Sequence, residues 1–185
     1  MRALIMIYEL RHYEFTPSNW EKYLRLFNEV CLPIRQNNFG VLKGKWITSK
    51  DDMIHFYHLW EYSSLDTRKK LREELNKIIA WQEVFIKNAV PLIENQEIKI
   101  LNPFLELQDF NFSKDLKIHE LKCKVGKIKA IMLPLTDNHQ NNIQINVAEF
   151  PNPNELIFLS DKDYNVGNLD NINIKEVNIC EVSAF

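Results

Sequence analysis

The 185-residue chain reads as an α+β protein: a ferredoxin-like β-α-β-β-α-β unit followed by a β-rich C-terminal segment. Three observations predict this. Runs with strand-like alternation at 5–13, 41–48, 55–62 and 93–101 are separated by two stretches of three-and-four apolar spacing and one tight turn. The resulting order of four strands and two helices is that of a split antiparallel sheet carrying both helices on one face. After Pro103 the helical period fades and Asn- and Ile-rich segments take over.

Strand one covers about residues 3–15. Thr16 then suits a helix N-cap and Pro17 the first helical position. Trp20, Tyr23, Leu24, Phe27, Cys31 and Ile34 form one apolar stripe, and Pro33 should bend its last turn. A loop at 36–40 leads to strand two at 41–48, where Gly44 predicts a bulge. Ser49-Lys50-Asp51-Asp52 is a hairpin turn into strand three, the HFYHLWEY stretch. Ser64 suits the N-cap of helix two, with Leu71, Leu75, Ile78, Ile79, Phe85 and Ile86 on its buried side. A break is expected near Ala80-Trp81 and a stop at Pro91. Strand four covers 93–101, and Asn102-Pro103 closes a first domain at 1–104.

Residues 105–185 form the second region, opening with a linker at 106–114. Strands are predicted at 117–124, 127–135, 142–150, 155–159 and 172–182, with loops at 136–141, 151–154 and 161–170. Ile118-His119-Glu120-Leu121-Lys122 echoes Ile7-Tyr8-Glu9-Leu10-Arg11, as a degenerate second copy without its helices would.

Composition excludes several classes. Apolar content of 45% and charged content of 26% are those of an ordinary globular chain. Residues 1–104 hold 15 basic and 13 acidic side chains and the remainder 8 and 12, so neither half offers the basic surface a phosphate backbone needs. Arg68, Lys69, Lys70 and Arg72 are followed by Glu73 and Glu74 and read as a solvated helix face. Cys31, Cys123 and Cys180 have neither disulfide nor zinc spacing, which suits a reducing compartment. No run approaches the ~18 apolar residues of a membrane span. Met1 leads straight into the first strand, so neither secretory signal nor transit peptide is expected, and a cytoplasmic location is.

Alternation places Glu9, Arg11 and Tyr13 on one face of strand one, and His58, Trp60 and Tyr62 on one face of strand three. With Trp46 these seven residues are expected on the open sheet face, away from the helices. Arg11 would hold a carboxylate in bidentate fashion, and His58 would serve as a general base or as the axial ligand of a haem. The plainer alternative is that they pack an interface between two copies of the chain, since Trp46, Trp60 and Tyr62 would otherwise form an exposed aromatic patch. His55 and His58 face opposite ways on one strand, and no metal site is expected.

The first half resembles the NIPSNAP family. The residues that carry the resemblance are IYELRHY at 7–13, LPIR at 32–35, GKW at 44–46, HLWEYSSLDTR at 58–68, Trp81-Gln82-Glu83 and ENQEIKIL at 94–101. The resemblance covers about residues 4–103. It implies a dimeric α/β barrel, with a homodimer as the assembly and no agreed catalytic residues. Family members often carry two such domains in tandem, and residues 105–185 are too short for a full copy. The expected function is a non-enzymatic module that binds a small ligand or a protein. A cofactor-independent monooxygenase or isomerase, and a haem-binding protein, are the alternatives.

Overall fold

The computed structural model describes residues 6–105, 110–137, 143–163 and 173–185. The chain divides into two compact units, Met1–Ile98 and Lys99–Phe185. That division falls inside a strand. Residues 3–5 of the expected first strand, 106–109 of the linker and most of the expected loops at 136–141 and 161–170 lie outside the described residues.

The first unit runs β1 (Ile7–Phe15), α1 (Pro17–Leu26), a π-helical turn (Phe27–Cys31), α2 (Leu32–Arg35), β2 (Val41–Lys50) and β3 (Met53–Tyr62). It continues through α3 (Leu65–Leu75), a second π-helical turn (Trp81–Ile86), α4 (Lys87–Ala89) and a 3-10 turn (Val90–Leu92) into β4 (Asn95–Leu105). The local signals do what their chemistry predicts. Thr16 Oγ1 accepts from the Asn19 amide at 3.3 Å, and Ser64 Oγ from the Thr67 amide at 3.0 Å. β3 lies between β1 and β2, antiparallel to both. The hairpin turns on Asp51 and Asp52, both left-handed (φ 51° and 60°), as a tight two-residue connection requires. The register slips between Leu42 and Gly44, the bulge predicted at this glycine. The first π-helical turn immediately precedes Pro33, whose missing N–H breaks the regular ladder.

Helix two departs from expectation. α3 ends at Leu75, ahead of the expected break at Ala80-Trp81, so the apolar spacing loses its phase. Leu75 and Phe85 are buried, whereas Ile79 is 78% exposed.

In the second unit the end of β4 pairs with β6 (Ile143–Phe150), β6 with β7 (Glu155–Ser160), and β5 (Leu116–Cys123) lies between β7 and β8 (Ile174–Ala184), all antiparallel. One predicted strand, 127–135, is wrong: all but its first residue fall in a helix, α5 (Ile128–Asp137). Their two isoleucines suggest a strand, but Lys, Ala, Leu and Met are strong helix formers, and Ile128, Ile131 and Met132 recur at helical spacing. That spacing turns them together onto Leu121, Ile145, Leu156 and Phe158. Beside this core sits a buried ion cluster: Lys99 Nζ lies 2.8 Å from Glu155 and 3.0 Å from Glu120. Burial alone would lower the lysine pKa; Glu120 and Glu155 outweigh it and raise it.

Among the described residues no helix is long and apolar enough to cross a membrane. Ile131→Ala removes a fully buried branched side chain from the second core. It is expected to cost about 2–5 kcal/mol, read as a lower urea midpoint with unchanged slope.

Candidate functional site

The register of β1 against β3 assembles the site. Arg11 pairs with His58, Glu9 with Trp60 and Tyr13 with Phe56, so their side chains share one face, with Tyr62 at its end opposite Ile7. That face is the helix-covered one, not the open one. His58 lies edge-on to Phe27, and Tyr13 edge-on to Tyr23. Trp46 is elsewhere: it pairs with Tyr57, which places it on the opposite face. Counting back from the Asp51-Asp52 turn would have shown this. Trp46, Trp60 and Tyr62 are all buried within the single chain, so they form no exposed aromatic patch.

Glu9 is fully buried and gripped by guanidinium groups. Arg11 from the same strand and Arg68 from α3 bond its two oxygens, and Arg72 lies 3.8 Å away. Burial would push the Glu9 carboxyl up; Arg11, Arg68 and Arg72 overcome it and hold the group below the usual carboxylate range. Arg68 and Arg72, four residues apart, share one face of α3 and turn inward. Lys69, Lys70, Glu73 and Glu74 stay exposed, so the expected solvated face is only part of that cluster.

Arg35 forms the second anchor. Its Nη2 donates to the Phe39 carbonyl at 2.6 Å and the Tyr62 hydroxyl at 2.9 Å, and its guanidinium sits 3.3 Å above the Trp60 ring. Gly40, at φ 97°, makes this approach feasible: a Cβ there would lie 2.7 Å from the Tyr62 ring. Trp60 Nε1 in turn donates to His58 Nδ1 at 2.7 Å. That bond assigns the imidazole proton to Nε2. Burial, then Arg11 and Arg35, hold the His58 pKa well below its ordinary value, so the ring is a neutral donor. Its Nε2 is buried and has no protein partner among the described residues.

A cavity of about 200 Å³ opens between these groups and the helices, bounded by Arg11, Arg35, Arg72, Tyr13 and His58 and capped by Trp81 and Phe85. A smaller one of about 80 Å³ shares the same three arginines and adds Tyr62. Among the described residues, neither is lined by any aspartate or glutamate. Burial pushes the Cys31 thiol up to about 12 and raises the Tyr23 phenol, so neither is a ready nucleophile. The donor set does not suit a haem bound through His58, because Nε2 carries the proton while Nδ1 serves Trp60.

Of the seven expected residues, Glu9, Arg11, Tyr13, His58, Trp60 and Tyr62 come together and Trp46 does not. Strand alternation alone could not show Arg35, Arg68, Arg72 and Trp81, which arrive from the helices. Arg35 was within reach, four residues past Cys31 on the stripe of Trp20, Tyr23 and Phe27.

The family model of NIPSNAP matches residues 8–106. The chain belongs to the NIPSNAP family. It is 31% identical over 106 residues to human Protein NipSnap homolog 3A, a match covering 56% of this chain and 42% of that protein. Against the curated relatives it matches, this NIPSNAP chain spans less than half their length. A NIPSNAP family protein from Agrobacterium tumefaciens superposes with TM-score 0.51 at 33% identity, over 56% of this chain and 90% of that one. A putative monooxygenase from Fusobacterium nucleatum is similar in fold, with TM-score 0.65 at 12% identity, over 98% of this chain and 93% of that one.

Glu9→Gln leaves Arg11 and Arg68 buried against a neutral amide and is expected to cost on the order of 3 kcal/mol in urea denaturation. Because the folded-state carboxyl is held low, its contribution is complete above the unfolded pKa of about 4.5. It is lost as pH falls through the lowered folded value. The gap between wild type and variant should therefore be flat near neutrality and close in acid.

Proposed function

We propose that this NIPSNAP chain is a non-enzymatic binding module for a small, single-ring organic anion held in the cavity under the helices of its first unit. The observation that carries the reading is three arginines facing a cavity that no carboxylate lines among the described residues. Glu9 offsets part of that charge from outside the lining, and an anionic ligand would offset the rest. The His58 Nε2–H, a buried donor, is worth about 1–3 kcal/mol to a ligand that accepts from it. At about 200 Å³ the cavity lies below the usual ~300–1,000 Å³ of ligand pockets, so one ring with one acidic group is the size that suits. Tyr13, Trp81 and Phe85 supply aromatic walls.

The alternative is a cofactor-independent monooxygenase or isomerase, drawing on a fold shared with the putative monooxygenase. Such an enzyme needs a base beside the ligand. His58 offers a proton rather than a lone pair, Glu9 is occupied by arginines, and Cys31 holds its proton. These groups support recognition over proton abstraction.

We also read the first unit as ferredoxin-like and the second as a degenerate copy of it. β5, β7 and β6 pair in the order of β1, β3 and β2, and α5 follows β5 as α1 follows β1. Trp46, Trp60 and Tyr62 are buried inside one chain, so these three rings do not themselves call for the homodimer that strand order and family suggest.

Benzoate and related single-ring carboxylates are expected to raise the melting temperature, and the matching neutral amides to leave it unchanged. Equal shifts from both would remove the anion reading. Arg72→Ala, at a half-exposed position, should weaken carboxylate binding at least tenfold by calorimetry while the fold survives. Native mass spectrometry is expected to give a single-chain mass, and a two-chain mass would restore the homodimer.

A further inference from the structure

We propose that His12, Glu14 and His55 form a binding site for a divalent transition metal, on the sheet face opposite the cavity. His12 and Glu14 lie two apart on β1, and Glu14 pairs with His55 across the ladder to β3, so all three side chains emerge on one face. One ligand atom from each lies within 4.8 Å of the others. His12 Nε2 is 2.9 Å from His55 Nδ1, and His55 Nδ1 is 3.9 Å from Glu14 Oε1. Donors around a metal with bonds of about 2.1 Å stand roughly 3 Å apart when adjacent and roughly 4 Å apart when opposed. The His12–His55 and His55–Glu14 spacings fall in that range, and the third pair lies within 4.8 Å.

The surroundings fix the ligands. His12 lies flat against Tyr57, ring centres 4.3 Å apart and 3° from parallel. Asn95 Nδ2 lies 3.4 Å from Glu14 Oε1, where it would orient the carboxylate from outside the metal shell. All three ligands sit on strands, which hold geometry better than loops. Each is partly exposed, so a metal ion from solvent reaches them and open coordination positions stay accessible. Two imidazoles and one carboxylate suit Zn²⁺, Co²⁺ or Fe²⁺ and disfavour Mg²⁺ and Ca²⁺, which take oxygen ligands. Without metal, the two rings share one N–H···N bond; on metal entry the donor ring moves that proton to its other nitrogen, so both rings stay neutral and each turns a lone pair onto the ion.

The test is Co²⁺ and Zn²⁺ titration of the full chain. One Zn²⁺ per chain is expected, with affinity reduced at least tenfold in His55→Ala and in Glu14→Gln, each checked for an unchanged circular dichroism spectrum. Glu14→Gln swaps a partly exposed carboxylate for its isostere, so the comparison survives even where His55→Ala unfolds. The bound Co²⁺ should show the visible bands of nitrogen and oxygen ligation. Wild-type binding no tighter than that of Glu14→Gln would overturn the site. So would strong thiolate-to-cobalt charge transfer, which would put the metal on a cysteine instead. Arg72→Ala should bind metal as wild type does, separating this site from the cavity.

Discussion

The first unit depends on one buried carboxylate. Glu9 lies near the start of β1, cut off from water, where an unpaired charge would cost several kcal/mol. It remains ionised because Arg11 and Arg68 bond both oxygens and Arg72 stands close behind. These contacts join the strand to α3 and fix where the helix lies over the sheet. They also determine the chemistry of the space beneath. One carboxylate shares several guanidinium groups, so the cavity wall is left cationic.

A second chain of contacts shapes the same wall. Arg35 stacks on Trp60, Trp60 donates to His58, and His58 is left with its proton on the other nitrogen. A histidine that looks like a base in the linear sequence thereby becomes a donor. Gly40 enters the same chain by geometry alone, because any side chain there would collide with the ring of Tyr62. Site chemistry here is set less by which residues are present than by which hydrogen bond each has already made.

The sheet carries different chemistry on its two faces. One bears arginines and aromatics under the helices; the other carries His12, Glu14 and His55 beside Tyr57. The second unit repeats one theme in altered form. Glu120, the counterpart of Glu9 in the echoed segment, also meets a buried cation, here Lys99 with Glu155. A lysine is a point charge, whereas an arginine is a planar fork, so the second cluster meets its carboxylates without the bidentate geometry of the first.

Local chemistry determined much of this protein from the sequence alone. Period-two alternation, Thr16 and Ser64 as caps, the Asp51-Asp52 turn and the Gly44 bulge act within a few residues of themselves. They need no distant partner, and they yielded the order of the first unit and six of its site residues. Tertiary structure decided the rest. Which face the helices cover depends on packing, so the face of Glu9 and His58 was assigned to the wrong side. Arg35, Arg68 and Arg72 reach the site from helices, and no strand pattern encodes that convergence. Residues 128–135 form a helix rather than the expected strand, because their Lys, Ala, Leu and Met favour one and the helical spacing of Ile128, Ile131 and Met132 turns them onto a shared core that the linear order does not show. The proton on His58 was decided last of all, by a tryptophan two residues along the same strand whose indole happens to reach back to it.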